Sequence, residues 1–185
     1  MTIRAKGVAV LAVQMALVLS IAAKYAWERH VCPMVWTRAT QFDPQEPLRG
    51  RYLALQLRAS ACGLSKNDAE NAYINRSFVG RKNELGSQGW TVVPRAENGR
   101  LVARPGDPKR PDQSEHLMLN ADEPCEYAIL SGETEFFVSE HAKTPFPLAK
   151  GQELWALVTV PPSGPPRPVR LAVSDGKEFR VLDLP

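Results

Sequence analysis

Arg51-Tyr52-Leu53-Ala54-Leu55-Gln56-Leu57-Arg58 decides how this chain folds. Leu53, Leu55 and Leu57 alternate with Ala54, Gln56 and Arg58, and a period of two marks a strand with one face in a core and the other toward solvent. A helix would put Leu55 on the side opposite its two neighbours. Upstream, Met34 to Thr40 reads as a first short strand, followed by the turn-rich Asp43-Pro44-Gln45-Glu46-Pro47. Downstream, Ser65 is placed to cap a brief helix over Lys66 to Ala72. Trp90 to Pro94 and Leu101 to Arg104 flank Glu97-Asn98-Gly99, where Asn-Gly signals a hairpin.

The pattern continues beyond a polar, proline-punctuated loop from Pro105 to Ser114. Strands are expected at Glu115 to Leu119, Glu126 to Leu130 and Glu135 to Val138, with Ser131-Gly132 as a turn between the last two. Ser139 to Ala142 allows one helical turn. Further strands follow at Glu153 to Val160, Val169 to Val173 and Phe179 to Leu182, separated by the connector Pro161 to Pro166 and the turn Asp175-Gly176. Short strands at this spacing, rich in Pro and Gly, predict a mainly β fold: one β-barrel or β-sandwich domain over residues 31–185, with one or two short helices. Its length is ordinary for one domain.

Residues 1–30 are of another kind. Arg4 and Lys6 precede the apolar run Gly7 to Ala23, interrupted only by the polar Gln14 and Ser20. As a helix this run falls slightly short of the roughly 30 Å hydrocarbon core, and Tyr25, Ala26 and Trp27 complete the span while Lys24 snorkels. The reading is an N-terminal transmembrane anchor in contact with the lipid bilayer. A cleaved signal peptide is the alternative, with Ser20, Ala22 and Ala23 near a cleavage point, although the run exceeds the usual apolar core of such peptides. Both readings export the rest of the chain. Long domains translocate largely regardless of charge, and a short basic terminus stays inside, so the expected topology is N-in with the C-terminal domain outside.

Of 23 basic and 20 acidic residues, four basic (Arg4, Lys6, Lys24, Arg29) and one acidic (Glu28) lie in residues 1–30, leaving 19 of each in residues 31–185. A formally neutral domain has no electrostatic footprint for nucleic acid, which is excluded as a partner. Three cysteines cannot all pair internally. Cys32 lies beside the membrane segment, whereas Cys62 follows one apolar strand and Cys125 precedes another, so a Cys62–Cys125 disulfide is favoured in an oxidising compartment. No CxxC pair exists, and His30, His116 and His141 lack zinc-site spacing, so no metal and no cofactor is expected.

The stretch Phe42-Asp43-Pro44-Gln45-Glu46-Pro47-Leu48-Arg49-Gly50-Arg51-Tyr52-Leu53-Ala54-Leu55-Gln56-Leu57 resembles the hallmark of the bacterial membrane-anchored GDYxxLxY proteins. Gly50, Tyr52 and Leu55 match the name-giving motif, with Arg51 and Leu57 standing where it has Asp and Tyr. Phe136 to Ala142, Gly151 to Trp155 and Gly164 to Leu171 are similar to that family's second half. The resemblance implies a single-pass anchor in the bacterial inner membrane, carrying an exported, periplasmic or extracytoplasmic β-domain. It also implies genes placed beside multi-spanning membrane proteins, and it implies no reaction.

No catalytic motif stands out, and the expectation is a protein that is not an enzyme. Ser139, Glu140 and His141 are adjacent, but neighbours on a strand or turn point apart and triads are assembled from distant segments. The phosphate loop, the nucleophile elbow and HExxH are missing from the sequence. Two functional classes remain. One is a non-catalytic accessory protein of an integral membrane protein. The other is an envelope-facing hydrolase or ligand-binding domain, with a pocket around Tyr52, Glu140, His141 and Arg167; the last also sits in a stiff Gly164-Pro165-Pro166-Arg167-Pro168 connector suited to docking a partner.

Overall fold

In a computed structural model of the chain, residues 3–41, 52–65, 88–107, 114–120, 122–138 and 147–184 are described. Two compact units emerge, Met1–Cys32 and Pro33–Pro185. The first is helix α1, Ile3–Val31, whose described side chains are almost all exposed from Lys6 onward. Its stretch Lys6–Val31 is long and apolar enough to cross a membrane, and none of it is buried. A helix that is greasy all round and covered by nothing lacks the polar face of a soluble surface helix. The Cys32 amide closes the last turn on the Glu28 carbonyl at 2.9 Å, and Pro33, with no N–H to give, ends the helix.

The second unit is built on β1 (Met34–Gln41), β2 (Tyr52–Ala59), β3 (Gln88–Glu97), β4 (Arg100–Pro105), β5 (Glu115–Leu119), β6 (Ala128–Phe137), β7 (Glu153–Thr159), β8 (Arg167–Ser174) and β9 (Phe179–Val181). They form one antiparallel sheet in the order β4-β3-β5-β6-β2-β1-β7-β8-β9. The decisive stretch is β2 at the centre. Leu53, Leu55 and Leu57 are buried, and Ala54, Gln56 and Arg58 alternate with them on the half-buried outer face.

The sheet curls until part of it closes. β1 borders β2 only opposite Leu55 to Leu57, and farther along the chain Ser60 makes a parallel bridge to Val102 of β4. The Ser60 amide donates to the Leu101 carbonyl and the Ala103 amide donates to the Ser60 carbonyl, both at 2.9 Å. Strands β2, β6, β5, β3 and β4 thus make a barrel-like ring, with β1, β7, β8 and β9 continuing the sheet from β2. Closure satisfies backbone groups that an open edge would expose. Inward residues from both parts, among them Val35, Leu55, Val92, Leu117, Leu154 and Leu171, form one core.

Several expected elements take their forms from local chemistry. At the Asn98-Gly99 hairpin both residues have positive φ, 50° and 73°, as a two-residue turn between twisted strands requires. Asp175 accepts the amides of Lys177 and Glu178 at 2.9 and 2.8 Å, closing the β8–β9 turn through Gly176. One expectation is corrected. Glu126 to Leu130 and Glu135 to Val138 are not two strands around a Ser131-Gly132 turn, because Ala128–Phe137 is one strand, preceded by a 3-10 turn at Cys125–Tyr127. Its register against β2 shifts between Gln56 and Arg58, so Leu130, Ser131 and Gly132 are taken up as a bulge facing Leu57. The expected turn at Asp43 to Pro47, the helix Lys66 to Ala72 and the helical turn Ser139 to Ala142 lie outside the described residues.

Candidate functional site

Of the four residues expected around a pocket, Tyr52, Glu140, His141 and Arg167, the described sheet carries Tyr52 and Arg167 and sets these two far apart along its strands. Glu140 and His141 lie outside the described residues. Tyr52 begins β2 opposite Phe137, three residues beyond Leu55, which faces Gln41. Arg167 begins β8 opposite Thr159, which in turn faces Met34 at the other end of β1. At about 3.3 Å per residue this register separates Tyr52 from Arg167 by roughly 30 Å along the strands. Half-buried Arg167 serves the fold, its carbonyl accepting the hydroxyl of buried Thr159 at 3.3 Å. The Phe136–Phe137 end of β6 likewise pairs directly with Tyr52 and Leu53 as part of the packed sheet.

Cys62 and Cys125 are joined in a disulfide with their Cα atoms 4.9 Å apart, and Cys32 is free. Together with Glu126 these two cysteines have the closeness of a metal-ligand group, but the disulfide consumes both thiolates and leaves no ligand set there. The bridge ties the chain just past β2 to the 3-10 turn before β6, and the Ala61 amide adds a 2.7 Å bond to the Cys125 carbonyl.

This tie brings together a different set of side chains on the outer face. Arg38 of β1 stacks its guanidinium over the ring of Tyr127, 4.5 Å from the centroid, and over the ring of Trp155, its cross-strand neighbour on β7, at 5.0 Å. Its Nε donates to Glu153 at 2.9 Å. Arg58 of β2 approaches Tyr127 at 5.7 Å, and its Nη1 donates to the Tyr127 carbonyl at 2.9 Å and to Glu123 at 3.2 Å. Asn120 holds the second oxygen of Glu123 at 3.1 Å. Phe179 of β9 meets Trp36 and Trp155 edge to face, with centroids 4.9 and 5.9 Å apart. Cation–π contacts, each worth about 0.5–2 kcal/mol, fix the arginines laterally while the carboxylates fix them in plane.

Arg38, Arg58, Glu123, Tyr127 and Glu153 line an open groove of about 450 Å³, completed by Thr40, Gln41, Pro147, Leu148 and Gln152. No family model, curated protein or solved structure matches this chain. The groove's chemistry is therefore read from its own groups. Each of the described carboxylates in the groove is paired with an arginine, Glu153 with Arg38 and Glu123 with Arg58.

None of these groove residues was singled out in the sequence as a site. Arg38 and Arg58 carried a signal, being charges at outward positions of otherwise buried strands. Once Cys62 is paired with Cys125, Arg58 and Tyr127, four and two residues away from them, must be neighbours.

Proposed function

We propose that this chain is a single-pass accessory protein of the bacterial cytoplasmic membrane, akin to the GDYxxLxY proteins, with its amino terminus inside. Its sheet is then a non-catalytic recognition domain outside, serving an integral membrane partner. The observation that carries this reading is a wholly unburied apolar helix of membrane-spanning length, followed after Cys32 and Pro33 alone by the first strand of a neutral β-domain. Tethering raises the effective concentration of the domain toward other proteins in the same membrane to the millimolar range, so a small interface suffices. The open, ion-paired groove supports recognition rather than hydrolysis.

The test is made in cells. A photo-cross-linking residue at Gln152, on the groove, is expected to give an adduct with a multi-spanning membrane protein, and trypsin added to spheroplasts is expected to digest the C-terminal domain. A domain protected from trypsin would overturn the orientation. Adducts confined to lipid or to other copies of the chain would overturn the accessory role.

A further inference from the structure

Arg38 is held by three partners. Two aromatic rings contact its guanidinium at 4.5 and 5.0 Å, and Glu153 takes its Nε. Among the described residues neither of its Nη groups has an acceptor, and the side chain is 32% exposed on a groove wide enough for a small ligand. A guanidinium held by two aromatic rings and by a carboxylate at Nε, with no acceptor for its Nη groups among the described residues, is a fork already oriented for a planar oxyanion. The usual cost of ordering a long side chain on binding has been met in folding.

Charge decides which oxyanion. Among the described residues that line the groove, Arg38 and Arg58 are balanced by Glu153 and Glu123, so these charges sum to zero before anything enters. A carboxylate adds a single negative charge that the open Nη edge can match with two parallel hydrogen bonds. A phosphate monoester brings nearly two charges toward the same two glutamates and is disfavoured. Arg58 plays a supporting part: only 18% exposed, it spends its Nη1 on Glu123 and on the Tyr127 carbonyl, and so holds the ring on which Arg38 rests.

We infer that the groove beside Arg38 is a binding site for a ligand bearing a single carboxylate, gripped end-on by the two Nη groups of Arg38. This names the chemistry of what the recognition domain binds, and it rests on the non-catalytic reading of the groove but not on the membrane topology.

The experiment uses the full chain in nanodiscs of phosphatidylcholine, with 15N-labelled arginine observed at the Nε–H resonances. Sodium acetate is titrated at pH 7.5 against sodium chloride and sodium phosphate at matched ionic strength, and the Arg38 resonance is assigned by its loss in Arg38→Lys. Acetate is expected to shift the Arg38 signal saturably in the millimolar range, with phosphate several-fold weaker and chloride without effect. Acetate binding to Arg38→Lys, followed through backbone amides of Thr40 and Gln152, is expected to weaken about tenfold, because an ammonium keeps the charge but not the fork. Tyr127→Leu, which keeps the arginine and removes one of its two aromatic contacts, is expected to weaken it several-fold. Equal shifts with acetate and chloride, tighter binding of phosphate, or undiminished binding by Arg38→Lys would each overturn the assignment. None of these results bears on whether the helix spans a membrane, which the trypsin experiment decides separately.

Discussion

Glu115 is half-buried on β5 beside the β6 bulge, its Oε2 3.1 Å from where a Cβ on Gly132 would stand. Burial pushes its carboxyl above the ordinary glutamate range, and the neighbouring His116 offsets this only in part. A raised pKa in the folded state means that the native protein holds this proton more tightly than the unfolded chain. Stability from this group is therefore full below the unfolded value of about 4.3 and is lost as pH rises through the folded value. Glu115→Gln removes the charge without changing shape. Urea denaturation is expected to find the variant equal to the parent near pH 4 and more stable by a few tenths of a kcal/mol at pH 7, a figure discounted for solvent screening. A variant less stable than the parent at pH 7 would mean that the carboxylate makes a favourable contact that outweighs its burial. At this scale the sequence is partly legible: alternation gives the facing of Arg38 and Arg58, but the aromatic rings against them come from β7 and the 3-10 turn, whose proximity depends on strand order.

Among the elements, the Cys62–Cys125 bridge has the widest effect, since it joins positions 63 residues apart and anchors the turn that carries Tyr127. Closing so long a loop constrains the unfolded chain, and such bridges contribute about 2–4 kcal/mol. The double variant Cys62→Ser, Cys125→Ser is expected to lose stability in that range. Dithiothreitol should lower the urea midpoint of the parent toward that of the variant and leave the variant unmoved. An unchanged midpoint in both comparisons would show that the bridge adds no constraint. The same region shows why β6 departs from the expectation set by its sequence. Ser131-Gly132 is locally a good turn, and Glu126 and Tyr127 extend a plausible strand, but β2 pairs with both halves, β5 pairs with Ile129 and Leu130, and the turn becomes a bulge. Tertiary pairing overrides local preference here. Where a turn stands alone, as at Asn98-Gly99 and Asp175-Gly176, the residues themselves dictate its place.

For the whole molecule, periodicity gives the number and facing of most strands but is silent on their order, because every outward face looks alike until partners are known. The closure of β4 onto Ser60 rests on two backbone bonds that no side-chain pattern encodes. The helix is the opposite case, legible from composition alone. Helix α1 runs without a break from Ile3 to Val31, passing through Ser20, Ala22 and Ala23, where a signal peptide would be cut. The helical stretch Lys6–Val31 covers about 39 Å at 1.5 Å per residue, so the apolar run Gly7 to Ala23 sits within a helix longer than the roughly 30 Å bilayer core. Eight helical residues follow Ala23, and Tyr25 and Trp27 among them are of the aromatic types enriched at membrane interfaces. The chain purified from membranes is therefore expected to keep all of its 20.5 kDa and to stay in the pellet after washing with alkaline carbonate. Each arginine at the centre of such a helix costs about 2.5–3.5 kcal/mol of insertion, so Val13→Arg with Leu17→Arg, a penalty of about 6 kcal/mol, should abolish retention in the membrane. An intact mass beginning at or just after Lys24 would identify the helix as a leader, release the sheet from the bilayer and remove the tethering on which the accessory role depends.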